Sequence, residues 1–334
     1  MPSSSSPSNQ AAAEMQSLEM RPRYPIKSYT PPPSLSAASS TLQVCTLITT
    51  TSFLPGLTAL LYTLTLHLPP NSPPPIIFHT LSPTNEGLPP SLRTNPFLLN
   101  NFTLKPLPKI PSTTNPQNWC YTKLSLFSPN LYPPSTSSVL YLDADCILLS
   151  SPFPYLLSLV VSSSFSGFAA SPDVFPPDRF NAGVMFFVPR EDVGGGLVRF
   201  KDVLGSYDGG DTGYFNRYFD DWYEGLGRLP FRFNCQRVLK WLGGRGGEKY
   251  WEEVEGEGIV VLHMSSGPKP WEEGKGRGEC EVLWWGVYAE AIDVVGRLEE
   301  EGGGEAKKKK KRFKELRKTM GAKEAMEQLK IEFP

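Results

Sequence analysis

The stretch that most constrains this chain is Ser138-Val139-Leu140-Tyr141-Leu142-Asp143-Ala144-Asp145-Cys146-Ile147-Leu148-Leu149. Val139 to Leu142 form the continuous apolar, β-prone run of a strand buried on both faces, and such strands belong to parallel sheets covered by helices. Two carboxylates, one residue apart, close that strand. A buried charge without a partner costs several kcal/mol, so Asp143 and Asp145 need compensation, and a hard divalent cation would supply it. Open α/β sheets bind their ligands beyond the carboxyl ends of the strands, which is where this pair falls.

The chain around it alternates strand and helix. Gln43 to Thr50 reads as a first strand, Phe53-Leu54-Pro55-Gly56 as a turn, and Leu57 to Leu64 as a helix ended by Pro69-Pro70. Pro75 to Thr80 is a second strand, which completes a βαβ unit with parallel pairing. Periodicity is weak from Leu81 to Pro116, a Pro- and Asn-rich stretch. Trp119 to Phe127 has helical spacing, and Ser166 to Ala170 is a short strand. Phe180 to Val188 is a polar turn entering a buried strand. Ser206 to Trp222 is a Gly-rich loop followed by an aromatic helix, and Gly258 to His263 is a late strand. Leu283 to Glu299 is a helix with Trp284, Trp285, Tyr288, Ile292 and Val295 largely on one face. The expected fold is a single α/β domain over residues 41–300. A disordered Ser/Pro-rich segment over 1–40 precedes it, and a Lys-rich tail over 301–334, helical from Arg312 to Ile331, follows it.

A formal net charge of −1 conceals an uneven distribution: residues 306–334 carry +7 and the rest −8. The run Lys307 to Arg312 fits a nuclear-localisation or nucleic-acid patch, but a solvated charge run at a chain end is the simpler reading, so no nucleic-acid partner is expected. The five cysteines form no C-x-x-C pair and their number is odd, which argues against a disulfide framework or a zinc site. No signal-peptide pattern opens the chain, and no apolar run reaches the ~20 residues of a membrane span. The expectation is a cytoplasmic protein.

Four motifs carry chemistry. They are Tyr141-Leu142-Asp143-Ala144-Asp145, Phe180-Asn181-Ala182-Gly183-Val184, Asp208-Gly209-Gly210-Asp211-Thr212-Gly213, and His263 with Gly267-Pro268-Lys269-Pro270-Trp271. In this order and spacing, from about Gln43 to Trp271, the chain resembles glycosyltransferase family 8, and within it the glycogenin and galactinol-synthase branch. The resemblance implies a GT-A fold and a retaining transfer of glucose or galactose from a UDP-sugar, with Mn2+ or Mg2+ as cofactor. The acceptor, whether carbohydrate, polyol or a protein Tyr, is left open, and a homodimer is compatible with it. Tyr207, Tyr214, Tyr218 and Tyr223 are available for self-transfer.

The residue chemistry agrees with that expectation. A hard cation bridging a diphosphate stabilises the charge that builds as a glycosidic bond breaks. Asp143, Asp145 and His263 offer two oxygens and a nitrogen, a set that manganese accepts. In a single parallel sheet the strand ends bearing Asp143 and His263 would share one edge. By itself His263 reads better as a satisfied core or edge histidine, and the ligand role comes from the resemblance through the Gly267-Pro268-Lys269-Pro270-Trp271 that follows it. The resemblance assigns the diphosphate to Lys269, with Gly267 allowing close approach, and donor contacts to Lys123, Ala144, Asn181, Ala182 and Gly183. Lys123 also reads as a surface lysine on an amphipathic helix, and Asn181 to Gly183 as a plain turn. Asp208, Asp211 and Thr212 are the expected catalytic group, with Asp211 doubling as a helix N-cap. Thr212 stands where the branch usually has Gln. Thr49, Thr50 and Phe53 fall at the base-binding strand, where Thr50 replaces a common Asn and Phe53 a common Tyr. Two other readings stand beside the transferase: a nucleotide-sugar-binding protein that has lost catalysis, and a haloacid-dehalogenase-type phosphatase, which also opens on Asp-x-Asp.

Overall fold

The computed structural model describes residues 41–298 except 112–118, 163–164, 175–177, 223–226, 242–244 and 273–277, together with residues 312, 315 and 328. The segment 1–40, most of the tail with its expected helix, and Tyr223 lie outside the described residues.

Strand β4 (Thr136–Asp143) lies inside a six-stranded sheet with β1 (Thr41–Ile48), β2 (Ile76–His79), β3 (Thr103–Pro106), β6 (Phe168–Pro172) and β7 (Phe180–Phe187), in the order β3-β2-β1-β4-β7-β6. The pairs β1–β2, β2–β3 and β1–β4 are parallel, whereas β7 runs antiparallel to both β4 and β6. The fold is therefore α/β with a mostly parallel central sheet. Alternation along β4 divides the core: Leu140 and Leu142 join one apolar cluster, Val139 and Tyr141 the other. Tyr141 and Asp143 thus share a face.

On the first face lies helix α1 (Leu54–His67), apolar nearly all round, with Leu57, Ala59, Leu60 and Leu61 fully buried. The expected turn over 53–56 contributes the first turn of this helix instead, because Pro55 suits a position that needs no amide donor. Gly56 is required there: a Cβ would lie 2.6 Å from the Ala144 carbonyl oxygen and 2.7 Å from the Trp271 ring. The Thr63 hydroxyl donates to Leu60 O and accepts from Leu148 N at 3.1 Å. Helix α1 is thereby stitched beneath the turn that carries both aspartates. Helix α2 (Phe153–Val160) packs its Phe153, Leu156 and Val160 into the same cluster. The opposite face is covered by a 3-10 helix over Cys120–Phe127 and by helices α3 (Glu191–Leu204) and α4 (Asp211–Tyr218).

Three findings correct the sequence expectations. The late strand is β9 (Val261–His263), and it belongs to a second, three-stranded sheet with β5 (Cys146–Leu148) and β8 (Cys235–Gln236), in the order β5-β9-β8. His263 therefore does not reach the aspartates along a shared parallel edge; it lies opposite Cys146 in an antiparallel pair. Asn181 to Gly183 are within β7 rather than in a turn before it. The residues 81–116 hold β3, a four-residue strand next to prolines and too short to show a period. The second sheet is backed by helix α5 (Arg245–Glu257) through Trp251 and Val254 and by helix α6 (Glu279–Val294) through Trp284 and Tyr288. No helix among the described residues is long and apolar enough to cross a membrane.

Because Gly56 seats α1 against the Ala144 carbonyl, Gly56→Ala is expected to destabilise the protein by about 1–3 kcal/mol, the cost of overpacking a filled site. Urea unfolding of the purified variant measures this directly.

Candidate active site

The C-terminal ends of β1 and β4 open onto a cavity of about 530 Å³. Leu47, Thr49, Phe53 and Ala144 line it at β1 and the Asp143–Asp145 turn. Lys123, Asp143, Asp145, Asn181, Gly183, Asp211, Thr212, His263 and Lys269 also line it, so most of the expected site residues meet around one space. Thr50, Ala182, Asp208 and Gly267 are not in its wall. Thr50 is exposed and bonds Ser52, and a Cβ on Gly267 would meet open space. Ala182 acts through its backbone, donating its amide to the Thr212 hydroxyl at 3.2 Å.

The charges are paired across the cavity. Lys123 is buried and bridges two elements, with Nζ 2.8 Å from Asp143 Oδ1 and 2.5 Å from Asp211 Oδ2. Its reading as a surface lysine is overturned: the Cys120–Phe127 turn points it inward beneath α4. Burial pushes the Lys123 ammonium down, but Asp143 and Asp211 more than reverse this and hold it above the usual lysine range. Lys269 Nζ lies 2.6 Å from Asp145 Oδ2 and also donates to the Met264 carbonyl. Burial pushes the Asp145 carboxyl up, yet Lys269 and His263 outweigh it and keep the group well below the usual carboxylate range. Asp143 goes the other way: burial, aided by Asp145 and Asp211, raises its carboxyl against the pull of Lys123 and His263.

The N-cap of α4 is Gly210, and Asp211 is the first residue inside the helix, so the expected cap role falls to Asp208. Asp208 Oδ1 accepts from Gly210 N, Gly213 N and the Ser206 hydroxyl at 2.6–3.0 Å. That carboxylate shapes the loop, which leaves Asp211 to face the cavity.

His263 is fixed by a chain of amides whose polarity starts at a backbone donor. Gly183 N–H donates to Asn181 Oδ1 at 2.9 Å, so the other end of the Asn181 amide is its Nδ2, which donates to Asp173. Asn181 Oδ1 also accepts from Asn234 Nδ2 at 3.0 Å, which turns Asn234 Oδ1 toward His263 Nδ1 at 2.9 Å. Nδ1 must carry a proton to make that bond. Nε2 is then directed at Asp145 Oδ1 (3.3 Å) and Asp143 Oδ2 (3.9 Å). In the tautomer protonated at Nδ1 alone, Nε2 turns a lone pair toward the space it shares with two carboxylate oxygens, a donor set that a cation would join. Gly183 is part of the same device, since a Cβ on it would overlap the imidazole.

The two oxygens suit magnesium or manganese, and the imidazole nitrogen beside them favours manganese. A tighter triad exists geometrically: ligand atoms of Asp145, Cys146 and His263 lie within 4.8 Å of one another. Cys146 is the poorer third ligand. Burial holds its thiol protonated and Sγ donates toward Gly183 O, whereas Asp143 offers an oxygen to the same imidazole nitrogen.

Sequence reasoning missed Asn234, Asp173, Gln236 and Tyr141. The Tyr141 hydroxyl donates to Asp143 Oδ1 at 2.5 Å, a contact that the two-residue strand period does encode. Asn234 and Gln236 come from a two-residue strand and its lead-in, with no pattern to announce them.

Solved structures show the class of fold. The chain matches the glycosyltransferase GlyE of Streptococcus pneumoniae with a TM-score of 0.53 at 16% identity, covering 76% of this chain and 62% of that one. It also matches the galactosyltransferase LgtC, solved in complex with donor and acceptor sugar analogs, with a TM-score of 0.51 at 17% identity, covering 78% and 98%. The architecture is that of GT-A glycosyltransferases. Among curated proteins, glycogenin-1 of Caenorhabditis elegans is 29% identical over 184 residues, which is 54% of this chain and 39% of that protein. Glycogenin-2 of Saccharomyces cerevisiae is 39% identical over 150 residues, 40% of this chain and 37% of that one. No family model matches the chain. The chain is thus similar in sequence to glycogenins and in fold to GT-A glycosyltransferases. The match spans less than half the length of these curated relatives.

Two outcomes test the geometry. Asn234→Leu removes the amide that sets the imidazole, and it is expected to weaken Mn2+ binding by about 10–100-fold, read by EPR titration of free Mn2+ without any substrate. Lys123→Met leaves Asp143 and Asp211 without their shared cation and is expected to cost about 3–5 kcal/mol at neutral pH. Asp143 already titrates above its unfolded value, so proton uptake by the folded state relieves the repulsion. The Lys123→Met deficit should therefore shrink as pH falls from 7 toward 5, in urea unfolding with divalent ions chelated.

Proposed function

We propose that this chain is a metal-assisted, retaining hexosyltransferase that moves glucose or galactose from a UDP-sugar to a hydroxyl acceptor. The observation that carries the reading is that His263 Nε2 lies 3.3 Å from Asp145 Oδ1 and 3.9 Å from Asp143 Oδ2 in a cavity lined by Lys123 and Lys269. Asp143, Asp145 and His263 would hold Mn2+ or Mg2+. The bound ion would supply Lewis-acid stabilisation of the departing diphosphate.

The chain's own residues divide the remaining work. Phe53, with Lys269 Nζ 5.6 Å from its ring and Trp271 edge-on at 5.9 Å, offers a stacking face for the base at the β1 end. Thr49 adds a polar contact beside it. Lys269, on a loop reaching the cavity mouth, is the point charge for a phosphate. Asp211 and Asn181 face the sugar. Lys123 positions Asp211 relative to Asp143 and offsets their mutual repulsion. Retention then rests on positioning and electrostatics rather than on a protein nucleophile.

Thr212 favours a second reading, a nucleotide-sugar-binding protein with impaired turnover. Its hydroxyl is engaged by the Ala182 amide, so it offers less to the sugar than a longer amide side chain would. Of the tyrosines considered for self-transfer, Tyr214 and Tyr218 are buried with their hydroxyls on backbone carbonyls of α3, while Tyr207 is 42% exposed.

The test is UDP release and sugar transfer with Mn2+ and UDP-glucose or UDP-galactose, with intact mass recorded for self-transfer. The expected result is donor-dependent UDP release that falls at least about 100-fold in Asp145→Asn, as for loss of a group that stabilises developing charge. Tight UDP binding without turnover on any acceptor would favour the impaired binder. Phosphate release from a simple monoester, independent of nucleotide, would overturn both.

A further inference from the structure

The loop after His263 owes its shape to a residue on another element. Arg237 follows β8, and its amide donates to the His263 carbonyl at 3.1 Å. Its guanidinium is completely buried. Nε donates to Ser265 O at 3.1 Å and Nη2 to Ser266 O at 3.0 Å and to Pro268 O. The Met264 carbonyl is taken by Lys269 Nζ at 2.9 Å. Of the five carbonyls from Met264 to Pro268, four are thus bound, three of them by one side chain. Ser266 sits at φ 64°, a conformation an L-residue keeps only when its surroundings dictate it. The charge of Arg237 is matched by Glu281, whose Oε1 is 2.6 Å from Nη1 and whose Oε2 accepts from Gly278 N at 2.8 Å at the start of α6.

A buried ion pair is a poor source of stability when apolar residues could fill the same space, so its use lies elsewhere. Carbonyl oxygens along a wall repel an anion. Collecting them behind the loop removes that repulsion and leaves Ser265, Ser266 and Lys269 facing the cavity. The Ser265 hydroxyl is buried there without a hydrogen-bond partner. We infer that Arg237 is a positioning residue that turns the carbonyls of Ser265, Ser266 and Pro268 away from the cavity, making this loop a wall for the diphosphate part of a ligand. The inference rests on the UDP-sugar reading above and adds a residue to it that touches no ligand.

The test compares UDP with uridine, which differ only in the diphosphate, by titration calorimetry and saturation-transfer NMR at fixed Mn2+. The variants are Arg237→Lys, which keeps the charge but cannot span three carbonyls, and the double variant Arg237→Met with Glu281→Met, which removes the pair together. Thermal melts establish that each is folded, and Arg237→Lys decides if the double variant is not. The expected result is that the affinity advantage of UDP over uridine falls at least tenfold while uridine itself binds within twofold of wild type. Loss of both ligands in parallel, or an unchanged advantage in a folded variant, overturns the inference alone. A wild-type protein that binds neither UDP nor inorganic pyrophosphate overturns it together with the transferase reading.

Discussion

Everything at the mouth of this sheet depends on keeping three carboxylates, Asp143, Asp145 and Asp211, close together in a largely buried space. Their mutual repulsion is carried by Lys123 and Lys269, each of which arrives from a different element and binds the aspartates on a different side. The consequence is an asymmetric pair. Asp145 is held ionised by Lys269 and His263, whereas Asp143, pressed by burial and by Asp145, titrates high despite Lys123. Two adjacent carboxylates thus take opposite shifts because their cationic partners differ.

That orientation is obtained from neutral groups. The amides of Asn181 and Asn234 transmit the fixed polarity of the Gly183 N–H to the imidazole, and the antiparallel β5–β9 pair sets His263 opposite Cys146, one residue beyond Asp145. The supporting sheet is small, but it is pinned by the apolar contacts of α6 and by the amide link from Arg237 to His263. Groups that never face a ligand therefore decide where the ligating atoms lie.

The parts of this arrangement legible in the sequence are those with a local signature. The apolar run before Asp143, the Pro at the start of α1 and the two-residue period that aligns Tyr141 with Asp143 are written in adjacent residues. What escaped was long-range. The ion pairs of Lys123 are an example: the resemblance marks the residue, but its neighbours in sequence make it look like any lysine on a helical turn until the fold brings Asp143, 20 residues later, and Asp211 within reach. His263 was placed beside the aspartates for the wrong geometric reason, because a three-residue strand cannot declare which sheet it joins. Asn234 and Arg237 depend on a strand of two residues, below the length at which any hydrophobic period exists. The capping carboxylate was misassigned between Asp208 and Asp211 because both precede the same helix at plausible offsets.

The same division separates the two halves of the proposed reaction. The donor half needs a cation, a diphosphate wall and a face for a base, and these requirements use charged or aromatic residues on strand ends, so they leave motifs. Acceptor recognition would need only hydroxyl-binding polar groups on the remaining wall, where Asp173 and Gln236 stand beside the donor-facing Asn181. Each of the two amides has one N–H engaged, Asn181 Nδ2 on Asp173 and Gln236 Nε2 on the Pro172 carbonyl, and keeps a second. This end therefore presents amide donors beside carboxylate and amide oxygens, a mixture that a hydroxyl, donor and acceptor at once, can satisfy. Acceptor choice in such a scaffold lies in the direction in which a few amides point, and that direction is fixed by the backbone they bind.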